Sequence, residues 1–418
     1  MKKQIIKLSS LFLVSVLLVG MMSCKKKDTT VTFSMTSLKA GSVDLNLAAP
    51  ATTVPSNPTI VAGFSIAVNP ATVTAATVTL IGQYGNKTID LTLTTSGSTV
   101  NIVPKTILGT GSVYTLSLIG IGATDGQSLG SVVRTFTTEG SFAPDGPIAY
   151  WNFDNNANDQ MGNFNALTNG IIDISYVDSY KSIAGKAASF NGTTSLIEIP
   201  NGNVLDSCSD FSIAFWVKAD STKHDQFVMG LAGWYGFQFE INHSSDANKG
   251  WCKLAAQYKY ADNTSGSEDL WFNGNGQTGA NGGWQGWTFC KDLVTGGGKV
   301  NDILANKWAF VTCVYDATSK IGTLYLNGEK MKAQDFNLWP AGDPKLTVKG
   351  LKYNGNAGNK NFVFGFIQDK NNPTITDAWA QYSDPTNNHF KGLLDDVRIY
   401  HRPLTATEIT MMYNSAKP

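Results

Sequence analysis

The chain alternates. From Val31 to Glu139, short runs place apolar side chains at every second position, as in Val43-Asp44-Leu45-Asn46-Leu47, Thr88-Ile89-Asp90-Leu91-Thr92-Leu93 and Tyr114-Thr115-Leu116-Ser117-Leu118. A period of two puts those side chains on one face of a half-buried antiparallel strand. Asn69-Pro70, Gly85-Asn86 and Asp125-Gly126 punctuate the runs as turns. About seven strands of this kind predict a small sandwich over residues 31–140. Gly140 to Gly146, with Pro144, reads as a linker (141–147), and strand patterns resume to about Tyr400. Phe211, Ile213, Phe215 and Val217 alternate towards a core, and Asn327-Gly328 is a tight hairpin turn. One good helix start appears, at Thr405-Ala406-Thr407-Glu408, a capping box before an apolar stripe of Ile409, Met412 and Tyr413.

Two stretches depart from alternation. Leu11 to Met22 is apolar except for Ser15 and Gly20, follows Lys2 and Lys3, and ends at Ser23-Cys24. It is shorter than the roughly 20 residues of a spanning helix and fits the core of a signal peptide, residues 1–23. Met21-Met22-Ser23-Cys24 resembles the bacterial lipobox, which implies lipidation of Cys24, a polar linker over 24–30, and export to the outer membrane, on either face. The second stretch, about 221–307, is rich in Gly, Asn and Trp and reads as an insertion. Gly282-Gly283-Trp284-Gln285-Gly286-Trp287 sets two indoles in a glycine-rich loop. Loops on a rigid scaffold carry function disproportionately. Flat aromatic surface beside Asn and Gln amides suits a glycan, so Trp234, Tyr235, Trp271, Trp284 and Trp287 are candidate ligand contacts. The competing reading is that these side chains pack the insertion onto the sandwich.

Composition narrows the function classes. The 418 residues carry 32 basic and 32 acidic side chains, a formal net charge of zero, which argues against nucleic acid. Only 15% of residues are charged while Gly is abundant, a mixture that favours strands and turns over long helices. Beyond Cys24 there are Cys208, Cys252, Cys290 and Cys313. An even number permits disulfides without fixing their connectivity, Cys252 with Cys290 being the most plausible pair and Cys313 reading as a buried hydrophobe.

Two resemblances sharpen the picture. Asn69 to Leu80, with Asp125-Gly126-Gln127-Ser128-Leu129 and Arg134-Thr135-Phe136-Thr137-Thr138, resembles the bacterial Ig-like domain, which implies a spacer. Tyr150-Trp151-Asn152-Phe153-Asp154, Gly185 to Gly192, Phe211 to Lys218, Trp308 to Asp316, Gly322 to Gly328 and Leu393 to Tyr400 resemble laminin-G-like, concanavalin-A-type jelly rolls, over 148–416. Together they imply an all-β chain, an Ig-like β-sandwich followed by a concanavalin-A-like jelly-roll sandwich. In that family one structural calcium is common. Carried over, its ligands are Asp395, Asp154, Asn191 and Gly192, with Asp159 weaker, since hard oxygens suit calcium. Otherwise Asp395, an acid in an apolar strand, pairs with Arg398 or Lys186, or simply caps a turn.

The family also includes glycoside hydrolases, which need two carboxylates about 5 Å apart. Their run of acids at alternate positions is missing: Phe237 to Asn242 holds one, Glu240, and the adjacent Glu268 and Asp269 point to opposite faces. His224, His243, His389 and His401 show no metal-ligand spacing. The sequence therefore points to a non-catalytic lipoprotein that binds glycan or polysaccharide. The alternatives are an adhesin binding a protein partner and an undetected glycosidase.

Overall fold

A computed structural model describes residues 31–244, 250–358, 360–384 and 387–418; Cys24 and the signal segment lie outside the described residues. The first domain is a sandwich of two five-stranded sheets. One runs in the order Val43–Asp44, Met35–Ala40, Ile60–Phe64, Thr99–Pro104, Leu91–Ser96. The other runs Ala51–Val54, Val132–Thr138, Val113–Leu118, Val78–Gly82, Lys87–Ile89. Leu38, Ile60, Ile102, Leu116 and Phe136 meet between them, each from an alternating run. There are more strands than the periodicity suggests because edge strands such as Val43–Asp44 are too short to show a period.

The second domain is a larger sandwich of a nine-stranded and a seven-stranded sheet. At the centre of the first, Phe211–Ala219 pairs with Ala309–Asp316 on one side and Lys391–Tyr400 on the other. Phe211, Ile213, Phe215 and Val217 face the core. Ala214 and Trp216 are buried too, because the helix Ala406–Ala416 and the neighbouring Tyr180 and Phe310 cover their face. That helix begins on the expected capping box of Thr405 and Glu408. Asn327 and Gly328 both take positive φ, 52° and 77°, as a tight hairpin turn requires.

Residues 221–307, read above as an insertion, are mostly scaffold. They contribute Asp225–Leu231, Phe237–Asn242, Trp251–Lys259 and Ser265–Phe272 to the seven-stranded sheet, and Trp287–Cys290 to the other. The reason lies in the alternation of Phe237, Phe239 and Ile241 and of Cys252, Leu254 and Ala256, all core-facing. The stretch between Phe272 and Trp287 is the glycine-rich loop the composition predicts, and Gly296 to Gly298 fall in a second connection. Among the described residues no disulfide forms: Cys208, Cys252, Cys290 and Cys313 are free thiols. Cys252 and Cys313 sit fully buried in the core, where burial pushes both thiols up. No helix among the described residues is long and apolar enough to cross a membrane.

Candidate functional site

The seven-stranded sheet has one face on the core and one away from it. Because Phe237, Phe239 and Ile241 turn inward, Gln238, Glu240 and Asn242 turn outward. On the next strand Trp251, Lys253, Ala255 and Gln257 are outward, and on the edge strand Asp269 and Trp271. Glu240 faces Lys253, and Lys253 faces Trp271, directly across the ladders. One outward strip therefore crosses three strands with acid, ammonium and indole in sequence.

Its polar groups are bound to one another. Lys253 Nζ lies 2.9 Å from Asp269 Oδ2 and 3.5 Å from Glu240 Oε1. It also stands 5.6 Å from the Trp251 ring centroid. Gln238 donates to Glu240, while its own Oε1 is buried without a partner. Burial pushes the Glu240 carboxyl up, against the pull of Lys253. Burial alone would lower the Lys253 ammonium, but the two carboxylates raise it. Glu268 points to the other side, to Lys345, as the sequence predicts for adjacent strand residues.

The five aromatic candidates divide into three groups. Trp271 and Trp287 come together, ring centroids 6.4 Å apart, at the edge beside the strip. Trp284 packs 4.1 Å from Trp339, which stacks on Phe336 in the core. Trp234 lies 5.5 Å from Trp379 in a separate cluster that Tyr235 joins, under the loop that Gln368 ties down by accepting from Thr374 and Ile375 and donating to two loop carbonyls. All five are half-buried. Sequence reasoning weighed Glu240 and Asp269 only as catalytic acids and passed over Lys253, because the three come from three strands. The signal was available in the alternation of Phe237 to Asn242 and Trp251 to Lys259.

The expected calcium set does not converge. Asn191 pairs with Lys391, four residues along its strand from Asp395, about 13 Å at the usual strand rise. Asn191 Oδ1 instead accepts from the N–H groups of Thr193, Thr194 and Ser195, closing its own turn. The Gly192 carbonyl accepts from Lys223 Nζ at 2.6 Å, so an ammonium stands where the resemblance put the cation. Asp159 is saturated by the N–H groups of Tyr150, Met161, Asn163 and Phe164. Asp154 and Asp395 do share a neighbourhood. Asp395 is fully buried, accepts from Ser179 Oγ and the Asp396 N–H, and its carboxyl is pushed up to about 10 by burial and by Asp396 and Asp154. It pairs with neither Arg398 nor Lys186. Arg398 pairs with Asp396 at 3.3 Å, and the Lys186 N–H donates to Asp154. No three His, Cys, Asp or Glu side chains among the described residues are grouped to hold a metal ion.

A cleft of about 380 Å³ lies between the two domains, lined by Glu139 and Phe142 on one side and Tyr150, Tyr180, Asp396 and Arg398 on the other. Its polar groups are already spent. Tyr150 and Tyr180 both donate to Asp396, and the Arg398 guanidinium lies 3.8 Å from the Tyr150 ring centroid. Burial holds both phenols far above their ordinary range, so they remain donors. This network lies within the second domain, where it lines the cleft.

Known proteins bear on these shapes. No curated protein matches the chain. Among solved structures it is similar to domain 4 of an extracellular arabinanase from Geobacillus stearothermophilus, in complex with arabinotriose. The identity is 20%, over 64% of this chain and 98% of that one, with a TM-score of 0.38. The receptor binding domain of botulinum neurotoxin type G is 15% identical over 64% of this chain and 51% of that one, with a TM-score of 0.37. The binding domain of Paraclostridial mosquitocidal protein 1 is 17% identical over 65% and 52%, with a TM-score of 0.40. Family models match residues 39–138 as a bacterial Ig-like domain and residues 191–369 as the Concanavalin A-like lectin/glucanases superfamily. The chain is thus a bacterial Ig-like domain followed by a domain of the concanavalin A-like lectin/glucanase superfamily.

Proposed function

We propose that the second domain binds carbohydrate without cleaving it, and that the Ig-like domain serves as its spacer on a lipid-tethered envelope protein. The observation that carries the reading is the outward strip of Glu240, Lys253, Asp269, Trp251 and Trp271 on the seven-stranded sheet. Glu240, Lys253 and Asp269 hold one another in set positions on the sheet face, and the flanking indoles offer apolar faces to sugar C–H groups. The superfamily supports a glycan as the ligand.

Lys253 argues for binding over hydrolysis. A retaining pair of carboxylates needs a gap of about 5 Å into which the sugar fits, with one acid free to give up its proton. Here an ammonium contacts both Glu240 and Asp269, filling that gap and neutralising the pair. A calcium ion at Asp154 and Asp395 belongs to the proposal as a structural element away from this strip.

A glycan array with the soluble chain from residue 25 tests the function. Binding is expected to neutral or acidic polysaccharide fragments, and to drop about ten-fold or more in Trp271→Ala with the melting temperature unchanged. An array with no bound glycan sinks the reading in favour of a protein partner. Release of sugar from labelled polysaccharide overturns the non-catalytic part.

A further inference from the structure

Where the two sheets meet at one edge, Ser265–Phe272 runs beside Glu329–Asp335. On the latter strand Lys332 and Gln334 pair with Leu324 and Gly322, and Leu324 is a core residue, so both side chains turn between the sheets. Lys332 is only 1% exposed, and its Nζ sits 3.8 Å from the Trp287 ring centroid. Among the described residues it has no carboxylate partner, whereas Lys253, Lys291, Lys345 and Lys391 each have one and Lys223, Lys320, Lys349 and Lys352 donate to backbone carbonyls. Beside it, Gln334 Oε1 is buried with no hydrogen-bond partner. Trp287 pairs with Gln334 across the ladder and lies over this corner with Trp271.

A buried ammonium with no counter-ion is costly, and an aromatic face compensates only part of that cost. A buried acceptor without a donor is costly as well. The two deficits are complementary to one kind of ligand, an anion that also carries hydroxyl groups. Burial pushes the Lys332 ammonium down to about 8, which leaves it mostly charged at neutral pH.

We propose that this corner is a subsite for an acidic sugar: a uronate ring against Trp271 and Trp287, its carboxylate on the Lys332 ammonium and a hydroxyl donating to Gln334 Oε1. The proposal rests on the carbohydrate reading of the adjoining strip, and names the class of glycan.

Titration calorimetry on the soluble chain, with tri-galacturonate against the neutral galactotriose of the same linkage, tests it. The acidic trisaccharide is expected to bind about ten-fold tighter, the size of a charge-assisted hydrogen bond. Lys332→Met should erase that preference and leave the neutral affinity in place. Gln334→Glu, which gives Lys332 an internal partner, should weaken the acidic ligand alone, and it covers the case in which Lys332→Met fails to fold. Equal affinity for the two sugars in the wild type, or a preference that survives both variants, overturns the subsite while leaving the carbohydrate reading intact. A chain that binds neither sugar, nor any glycan on the array, overturns both.

Discussion

At the scale of single residues, the buried acids of the last strand decide most. Asp154, Asp395 and Asp396 lie near one another, and of the three it is Asp396 that pairs with the Arg398 guanidinium. Asp396 takes Arg398 and two tyrosines, while Asp395 has only Ser179 and a backbone N–H. Asp154 and Asp395 are the part of the expected calcium set that lies together, and carboxylate oxygen suits that ion. Calcium is therefore expected to raise the melting temperature of the wild type by about 5 °C at saturating concentration and to leave Asp395→Ala unmoved. Equal shifts in both proteins, read by differential scanning fluorimetry with and without chelator, would falsify the assignment. Asp395 was legible in the sequence because a carboxylate in an apolar strand stands out. Its partners were not, since ladder register sets which residues lie opposite, and register is invisible in composition. Asn191 and Gly192 stand at the wrong distance along the strand for that reason alone.

At the scale of elements, strands and the single long helix follow directly from local pattern. Alternation places Phe237, Phe239 and Ile241 in the core, and by the same step places Glu240 on the outer face. The glycine-rich composition of 221–307 hid this, because the glycines that dominate it fall mostly in the connections and not in the strands. The helix Ala406–Ala416 was legible from its capping box, and the structure adds a second function for the same acid. Glu408 accepts from the Thr405 N–H at 2.8 Å and receives Arg402 in a fork at 2.7 and 3.0 Å. Burial alone would raise its carboxyl; the Arg402 and Thr405 hydrogen bonds override that and hold it below 4.5. A depressed acid stabilises the fold at pH values above its unfolded pKa, and that contribution is lost as pH falls through the folded value. Glu408→Gln should therefore cost about 2 kcal/mol near pH 7 in urea denaturation, with the gap to wild type closing below about pH 4. A gap that stays constant down to pH 3 would show that the charge of Glu408 is irrelevant to the helix.

At the scale of the whole molecule, the seam between the domains bears on what the first domain is for. Phe142 donates its N–H to Ser415 Oγ at 3.0 Å, and the Tyr400 hydroxyl donates to the Pro144 carbonyl at 3.1 Å. Lys87 of the first sandwich pairs with Asp145, and Phe142 meets the Tyr84 ring at 5.5 Å. The connecting segment is thus fixed to both domains, and the pair can act as one arm rather than as two beads on a string. A spacer held in this way serves a binding face only if its far end is anchored, and Cys24 supplies the candidate anchor at the end of the apolar run Leu11 to Met22. Two acyl chains give stable membrane attachment where a single chain gives only marginal, reversible binding. Expressed with its native leader in a bacterial host, the full chain should sediment with the membrane fraction and incorporate labelled palmitate. Cys24→Ser should move to the soluble fraction, unlabelled, with the glycan binding of the second domain unchanged. Should the variant stay with the membranes, the tether would have to lie elsewhere, and the fixed arm would need a different purpose.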